Sequence, residues 1–338
     1  DQHRRKRDLV QLTHAVDVGY ELTTALLVSA DDGRPLAPME MHLRAGEGVL
    51  STRSPRPRAE PHLEQVAATM QAAETWGLSK PLVHVIDREA DSVDHYRRWD
   101  AAGAKFLIRA DNRRVKWNGE SCLLSQIREQ LMRQKAFRCV GDAAYHGRPA
   151  RLWTVETEVV LYRPAKKNVR GKRYELPGCE LSLRLIFVQL RTKQGKVLAE
   201  WMLLSNVPRE WATTEHLARC YYWRWSIESF FKLLKSHGQQ LERWQQQSGP
   251  AIARRLLIAA MACVVVWQLQ ADASPKALEF KNILVRLSGR QMKRKRPHTA
   301  PALLAGLWVL LSMLSLLDHY TLRDIKRLAA QLPYFDTG

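Results

Sequence analysis

A strand–helix–strand pattern between Pro81 and Arg109 constrains the fold of this chain more than any other feature of the sequence. Residues 81–86 form a short apolar run, which predicts a buried strand. Residues 92–102 have the pattern of a helix, and residues 105–109 have that of a second strand. Because two strands joined in this way pair in parallel, the fold class is α/β with a partly parallel sheet.

The first of these strands ends at Asp87. Ligand sites in open α/β sheets lie outside the carboxyl ends of the strands, so Asp87 is the first candidate functional residue. His84 precedes it on the same strand and is interpreted as a core or interface histidine rather than as a ligand.

The flanking sequence changes character on both sides of this pattern. Residues 63–76 predict a helix, and residues 213–237 predict one long helix. Strands with a turn are predicted at 18–42, a basic proline-rich loop at 53–61, and β-rich runs at 151–163, 181–191 and 197–205, with a basic turn at 166–173. We therefore divide the chain into the first part of the α/β core (1–110), an antiparallel β insertion (111–205), a core helix (206–245) and a helical C-terminal region (246–338).

The composition restricts the function class. The 338 residues include 53 Lys and Arg against 34 Asp and Glu, which gives a formal net charge of +19. A balance this basic favours a polyanionic partner, first of all nucleic acid, with a merely basic surface as the alternative. A hydrophobic content of 46% excludes a disordered chain, and five scattered cysteines exclude a disulfide scaffold and a zinc site.

Two apolar runs raise the alternative of a membrane-associated basic protein. Residues 256–267 are uninterruptedly apolar, and residues 301–317 are nearly so. Both runs fall short of the roughly 20 residues that a helix needs to span a bilayer. A buried helix or a helix at a dimer interface is therefore the favoured interpretation.

The long predicted helix has two distinct faces at about 100° per residue. One face is apolar and predicts the core side of the helix. The opposite stripe holds Tyr221, Arg224, Trp225, Glu228 and Lys235. Aromatic platforms interleaved with cations are typical of nucleic-acid grooves. The alternative is an ordinary solvated face.

These residues resemble a known family. Residues 221–235 fit the pattern Y-x2-R-x3-E-x6-K with every spacing correct, and residues 85–91 (Val-Ile-Asp-Arg-Glu-Ala-Asp) resemble a strand-end motif that carries a catalytic acid. Both are similar to motifs of bacterial DDE transposases of the insertion-sequence-four family, of the transposon-five type. The resemblance covers roughly residues 10 to 270.

The resemblance implies an RNase H-like core and a site in which three carboxylates hold two divalent ions. Asp87 would be the second acid and Glu228 the third, both as catalytic residues and as metal ligands, with their carboxyl groups close enough to share an ion. Mg²⁺ suits an all-carboxylate site, with Mn²⁺ as the alternative. The first acid would lie upstream of Asp1, which makes the chain an N-terminally truncated member.

The resemblance also implies a DNA-binding set. Tyr221, Arg224 and Lys235 would contact phosphates near the cleaved end. Trp225 and Trp201 would handle a flipped base, and Arg109 would reach the same site. The alternative for Trp201 is a core tryptophan, and that for Arg109 is a surface salt bridge.

The function that follows is that of an enzyme, a cut-and-paste transposase that cleaves and transfers DNA at the ends of an insertion sequence. Its partners would be double-stranded DNA, both transposon ends and target, and a second copy of the chain on paired ends. It would work in the cytoplasm at the nucleoid and not at a membrane. The alternative is a catalytically inactive, truncated DNA-binding remnant that lacks the first acid.

Overall fold

A computed structural model describes residues 9–12, 18–46, 48–58, 62–169, 172–237, 239–290 and 298–331. Asp1 and the lysine- and arginine-rich runs at 4–7 and 293–296 lie outside the described residues. The chain divides into a sheet unit (residues 30–33 and 60–225) and a helical unit (residues 1–29, 34–59 and 226–338).

The strands are β1 (Val10–Gln11), β2 (Val18–Gly19), β3 (Glu21–Val28), β4 (Pro35–Ala45), β5 (Gly48–Ser51), β6 (Ser54–Arg58), β7 (His84–Ile86), β8 (Phe106–Arg109), β9 (Arg114–Trp117), β10 (Glu120–Leu123), β11 (Arg138–Tyr145), β12 (Arg148–Leu161), β13 (Ala165–Val169), β14 (Lys172–Leu176), β15 (Leu181–Arg191) and β16 (Val197–Ser205). The helices are α1 (His62–Glu74), α2 (Val93–Ala101), α3 (Leu124–Arg133), α4 (Thr214–Trp223), α5 (Ser226–Lys232), α6 (Gly249–Ala271), α7 (Pro275–Leu287), α8 (Ala300–Leu317) and α9 (Leu322–Ala330).

The sheet unit contains one large mixed sheet. Its strand order within the described residues is β10-β9-β12-β15-β16-β8-β7, with β11 paired to β12. The strands β7 and β8 are parallel, with Val85 opposite Leu107, and the other pairs are antiparallel. The predicted parallel pair is therefore confirmed. The predicted β insertion is antiparallel as expected, but it continues the same sheet, because β16 pairs directly with β8.

Helices cover both faces of this sheet. On one face, α1, α2 and α3 pack through Met70, Tyr96 and Ile127. On the other face, α4 packs through Leu217 and Tyr221. The central strand β8 is buried on both faces, which explains its continuous apolar sequence. The result is a mixed α/β layer structure.

The helical unit buries a separate core. A four-stranded sheet of order β3-β4-β5-β6 contributes Met41 and Leu43, and the helices contribute Phe230, Leu256 and Trp267. The predicted proline-rich loop at 53–61 is wrong in part, because residues 54–58 form β6.

The predicted basic turn at 166–173 lies within the strands β13 and β14 of the sheet unit, with residues 170 and 171 outside the described part.

Two helices among the described residues, α6 and α8, are long and apolar enough to cross a membrane on length and composition alone. The apolar run at 256–267 lies within α6, which extends beyond it over 23 residues. Core helices of soluble proteins have the same length and composition, and α6 packs as one through Leu256, Cys263 and Trp267. By contrast, α8 leaves most of its apolar side chains exposed.

The long helix predicted at 213–237 is wrong as a single element. This segment forms two helices, α4 and α5, which are separated by a break at Arg224–Trp225. A π-helical turn at Leu233–His237 follows α5. At the break, the N–H groups of Arg224 and Trp225 donate to carbonyls three residues back, at 3.1 and 3.4 Å. A helical wheel assumes a constant rotation per residue, so it does not hold across this break.

Candidate active site

Asp87 lies where the sequence predicts it, directly after β7. It begins a short 3₁₀ turn, Arg88–Ala90, and its Oδ1 accepts a hydrogen bond from the backbone N–H of Arg88 at 2.8 Å. This bond fixes the carboxyl group at the carboxyl end of a parallel strand, which is the edge at which α/β sheets bind ligands.

Three side chains from two other elements surround this carboxyl group. The hydroxyl of Tyr221 on α4 donates to Oδ1 at 3.2 Å. The guanidinium of Arg224 lies 3.4 Å from Oδ2, and that of Arg109 at the end of β8 lies 3.6 Å from Oδ1. The Asp87 side chain is 35% exposed, so the cluster opens to solvent.

These neighbours keep Asp87 ionised. Partial burial alone would raise its pKa, but the Arg88 N–H and the charges of Arg224 and Arg109 outweigh burial. The pKa of Asp87 therefore lies below its ordinary value. The Tyr221 hydroxyl behaves oppositely, because burial and the Asp87 charge raise its pKa to about 12. At neutral pH the site thus pairs a carboxylate with a protonated hydroxyl donor.

The burial of Tyr221 corrects one expectation. The helical wheel predicts Tyr221 on an open stripe, whereas the structure buries its ring to 1% exposure in the core of the sheet unit. Only its hydroxyl reaches the Asp87 carboxyl group. The break that follows α4 is the reason, because the positions beyond it do not continue the same face.

An aromatic cluster lies behind Asp87. The ring centroids of Trp201 and Tyr221 are 5.4 Å apart, and those of Trp201 and Trp225 are 5.8 Å apart with the rings nearly perpendicular. Trp201 is only 6% exposed, as its core interpretation expects, while Trp225 is half-buried. Trp225 is therefore the more accessible of the two tryptophans that the sequence analysis selects.

Two residues of this cluster were not predicted from the sequence. Tyr145 packs against Trp225 at 5.7 Å, and Tyr222 packs against it at 5.6 Å. The Tyr222 hydroxyl also donates to the carbonyl of Ala144 at 3.0 Å and accepts from its N–H at 3.0 Å. These contacts dock the β11–β12 hairpin on the end of α4.

A signal for this hairpin is present in the sequence. His146 and Gly147 follow Tyr145 and both have positive φ, at 47° and 76°. Two central residues with positive φ define the tight turn that matches the twist of paired strands. A His-Gly pair between two β-rich runs could have predicted this turn, but not its contact with α4.

The last acid of the strand-end motif, Asp91, has a structural role. Its side chain is 2% exposed. It accepts hydrogen bonds from the Tyr96 hydroxyl at 2.5 Å and the Asp111 N–H at 2.7 Å, and it pairs with Arg113 at 2.5 Å. Asp91 therefore ties the loop after Asp87 to α2 and to the segment after β8.

We expect Asp91→Ala to lower the free energy of unfolding by about 2–4 kcal/mol, because it leaves buried donors of Tyr96 and Arg113 without an acceptor. Urea denaturation measures the change. Asp94→Ala is the matched control, since Asp94 lies nearby on α2 and is exposed, and it should cost less than about 1 kcal/mol. Equal losses for the two variants would contradict the anchoring role of Asp91.

A further carboxylate, Glu89, lies near Asp87. It contacts His62 at 3.5 Å. A hydrogen bond from His62 lowers the pKa of Glu89, although partial burial and the Asp87 charge act in the opposite direction. Glu89 thus contributes negative charge to the same loop.

Glu228 and Lys235 belong to the helical unit. Glu228 is exposed in the first turn of α5, and Lys235 is exposed in the π-helical turn. The sharing of a divalent ion by Asp87 and Glu228 stays a prediction.

The surroundings of Asp87 allow its carboxylate to serve as one ligand of a divalent ion. Among the described residues, Oδ1 accepts two hydrogen bonds, whereas Oδ2 faces Arg224 alone, so a lone pair of Oδ2 is available. Carboxylate oxygens are the ligands that Mg²⁺ prefers. No group of three His, Cys, Asp or Glu side chains that could hold a metal occurs among the described residues.

An α/β sheet with an acid at a strand end, cations around it and aromatic rings behind it is typical of proteins that act on nucleic acids. A family model described as the transposase DDE domain matches residues 53–265. The match covers more than half of the chain, and the chain belongs to this family. Membership implies an enzyme of DNA transposition that binds DNA and acts by DNA cleavage and transfer. A comparison with curated proteins found no match.

Proposed function

We propose that the chain is a transposase of the insertion-sequence-four family, of the transposon-five type. It cleaves DNA at the ends of an insertion sequence and joins the freed ends to a target by a cut-and-paste reaction that depends on divalent metal. Its core is RNase H-like, with the paired strands β7 and β8 carrying the second acid.

One observation carries this proposal. The Tyr221 hydroxyl donates to Asp87, although the two residues lie 134 positions apart in the sequence. Arg224, the second residue of the Y-x2-R-x3-E-x6-K pattern, faces the same carboxyl group. Two motifs selected independently from the sequence therefore meet at one carboxylate, which is the arrangement that a shared site requires.

The chemistry of each side chain in the sheet unit suggests its role in binding DNA. Arg109 and Arg224 supply planar cations that bind phosphate oxygens. Tyr221 remains protonated and donates a hydrogen bond beside the reacting phosphate. Trp225, with Tyr145 next to it, offers a stacking surface for a base that leaves the duplex, and Trp201 supports Trp225 from the core.

Two further residues act from the helical unit. Glu228 is the third acid of the proposed site, and Lys235 is a further phosphate-binding cation. Two divalent ions, Mg²⁺ or alternatively Mn²⁺, would supply activation of the attacking oxygen and stabilisation of the leaving oxygen. Asp87 and Glu228 would hold these ions together with a third carboxylate. The role of Asp87 is to keep its charge at the strand end.

The partners follow from this chemistry. Double-stranded DNA is bound at the transposon ends and then at the target. The protein acts as a homodimer on paired ends, in the cytoplasm at the nucleoid and not at a membrane. The exposed apolar side chains of α8 supply a surface for the second copy.

The test is a cleavage assay with the protein expressed from its full reading frame. A plasmid that carries the insertion sequence is incubated with the protein and Mg²⁺, and excised and joined products are separated on a gel. We expect excision that stops when a chelator removes the metal. A plasmid with scrambled ends is the control.

The alternative function predicts a different outcome. An inactive DNA-binding remnant would bind the end DNA in a salt-dependent way and would give no cleaved product at any metal concentration. Cleavage of scrambled ends at the same rate as true ends would contradict end-specific transposition.

A further inference from the structure

A groove in the sheet unit begins next to the Asp87 loop and has a volume of about 920 Å³. The proposed active site does not use it. Its walls are the start of α2, the segment before and at the start of β9, the ends of β10 and β12, the start of β13 and part of β14. We call it the Tyr162 groove, and it is lined by Asp91, Ser92, Val93, Asn112, Arg113, Arg114, Leu123, Leu161, Tyr162, Arg163, Pro164, Ala165, Lys166 and Glu175.

Positive charge dominates this lining. Four cations, Arg113, Arg114, Arg163 and Lys166, stand against the two carboxylates of Asp91 and Glu175. The buried Asp91 is already paired with Arg113 at 2.5 Å. In the part of the chain that the structure describes, Arg114, Arg163 and Lys166 have no ion pair with a carboxylate. The groove therefore presents an excess of cations that a bound anion would neutralise.

Two cations flank the ring of Tyr162: Arg163 of the groove lining, and Lys116, which lies beside the lining and pairs with Glu180. Lys116 lies 5.3 Å and Arg163 lies 5.9 Å from the ring centroid of Tyr162. The Tyr162 hydroxyl is held by Ser121 at 2.7 Å and accepts from Arg163 Nε at 3.3 Å. Aromatic rings that alternate with cations are the surface on which nucleic-acid strands stack and neutralise their phosphates.

Hydrogen bonds within the protein hold the wall of the groove in place. Arg97 on α2 donates to the carbonyl of Arg163 at 2.9 Å and to that of Cys179 at 2.8 Å, so the end of β12 is fixed. Arg113 Nε is buried and has no hydrogen-bond partner within the described ranges. An unpartnered buried donor costs free energy, which an anionic oxygen in the groove would recover.

The groove also begins close to Asp87 along the chain. Asp87 and Asp91 are separated by the single 3₁₀ turn Arg88–Ala90, which rises about 6 Å at about 2 Å per residue. One end of the groove, at Asp91, therefore lies one such turn along the chain from Asp87.

We propose that the Tyr162 groove binds the phosphodiester backbone of DNA next to the segment that reaches Asp87. This inference rests on the proposed function, since DNA must occupy the Asp87 site. The groove recognises phosphates and sugars and not base edges, so it adds affinity and register without sequence preference.

The experiment measures DNA binding by fluorescence anisotropy over a series of salt concentrations. The groove variant carries Arg114→Gln, Arg163→Gln and Lys166→Gln in the full chain. The matched control carries Arg133→Gln, Arg138→Gln and Lys193→Gln, which remove the same charge from exposed positions of the same unit outside the groove. Equal urea midpoints for the three proteins establish that the variants are folded.

We expect the groove variant to bind a duplex at least tenfold more weakly than wild type. Each lost phosphate contact lowers the slope of log K against log salt by about 0.9, so the slope should fall by roughly 2 to 3. The control should change the affinity less than threefold. Equal slopes for the two variants, with wild type still binding DNA, would overturn the groove inference and leave the proposed function intact.

Two other results separate the remaining cases. A wild-type chain that binds no duplex at low salt would overturn the proposed function itself. Calorimetry with inorganic phosphate tests whether the groove is a site for free anions instead. Phosphate binding that the groove variant loses, with an unchanged DNA slope, would identify a free-anion site and overturn the assignment to DNA.

Discussion

Replacement of Asp87 by Asn should reduce strand cleavage by roughly 10³-fold, the range in which loss of a single catalytic group falls. The change removes one negative charge and keeps the side-chain volume. Asn can still accept from the Arg88 N–H and the Tyr221 hydroxyl, so the loop should hold its shape. Single-turnover nicking of end DNA measures the rate, and Asp31→Asn is the control, because Asp31 is an exposed acid of the same unit.

Although the Asp87→Asn variant should cleave DNA more slowly, it should not bind DNA more weakly. Without the Asp87 charge, Arg109 and Arg224 lose their shared carboxylate and gain net positive potential toward phosphate. We expect equal or tighter binding of end DNA by the Asp87→Asn variant. A wild-type cleavage rate, or a loss of cleavage that merely follows a loss of binding, would contradict the assigned role.

Glu228→Gln tests whether the two acids act as a unit. If Asp87 and Glu228 share one ion, the double variant should be no slower than the slower single variant, because groups that act as a unit are strongly non-additive. Multiplied losses would indicate two independent roles. Glu129→Gln is the control for Glu228→Gln, since Glu129 is an exposed glutamate on α3.

The sequence was sufficient wherever a local pattern decides the structure. The apolar run before Asp87, the helix after it and the strand at Phe106 follow from periodicity and length, and so does their parallel pairing. The helix α3 could have been predicted as well, because Leu124, Ile127 and Leu131 have helical spacing and are buried.

Contacts between distant residues decide the rest. The break after α4 occurs where the Tyr222 hydroxyl binds the backbone of Ala144, 78 residues away, and where Trp225 packs on Trp201 and Tyr145. These contacts outweigh the small helix propensities of the residues involved, which differ by less than about 1 kcal/mol. No pattern within residues 213–237 contains this information.

The burial of Tyr221 has the same origin. Aromatic rings beside cations suggested an open nucleic-acid surface, but a tyrosine can bury its ring and present only its hydroxyl. In this chain Trp201 and Tyr221 fill the core, while Trp225 and Tyr145 remain accessible. The motif therefore includes two residues, Tyr221 and Arg224, that contact Asp87, but it does not show which part of each side chain does so.

A buried ion pair supports the start of the helix that carries Tyr221. Glu156 on β12 accepts from Arg184 at 2.6 Å, from Thr214 at 2.6 Å and from Arg209 at 3.0 Å. The side chains of Glu156 and Arg184 are each only 8% exposed. Arg184 also donates to the carbonyls of Val207 and Ala212 at 3.0 and 2.8 Å, which fixes the segment that leads into α4.

We expect Glu156→Ala to lower the free energy of unfolding by about 3–5 kcal/mol, because it leaves the buried Arg184 guanidinium without its counter-charge. Urea denaturation monitored by tryptophan fluorescence measures the loss at neutral pH. Glu158→Ala is the matched control two positions along the same strand, where the side chain is 71% exposed, and it should cost less than about 1 kcal/mol.

The same pair predicts a pH dependence with a defined sign. Burial alone would raise the pKa of Glu156, but hydrogen bonds from Arg184 and Thr214 outweigh it and place the pKa below its ordinary value of 4.5. A carboxylate with a lowered folded-state pKa stabilises the fold above pH 4.5, and this contribution is lost as the pH falls through the folded-state pKa. Wild type should therefore lose more stability between pH 6 and pH 3 than Glu156→Gln does. If both proteins lose stability in parallel, then Glu156 is not the acid that holds Arg184 and the start of α4, and the position of Tyr221 beside Asp87 must depend on the aromatic packing alone.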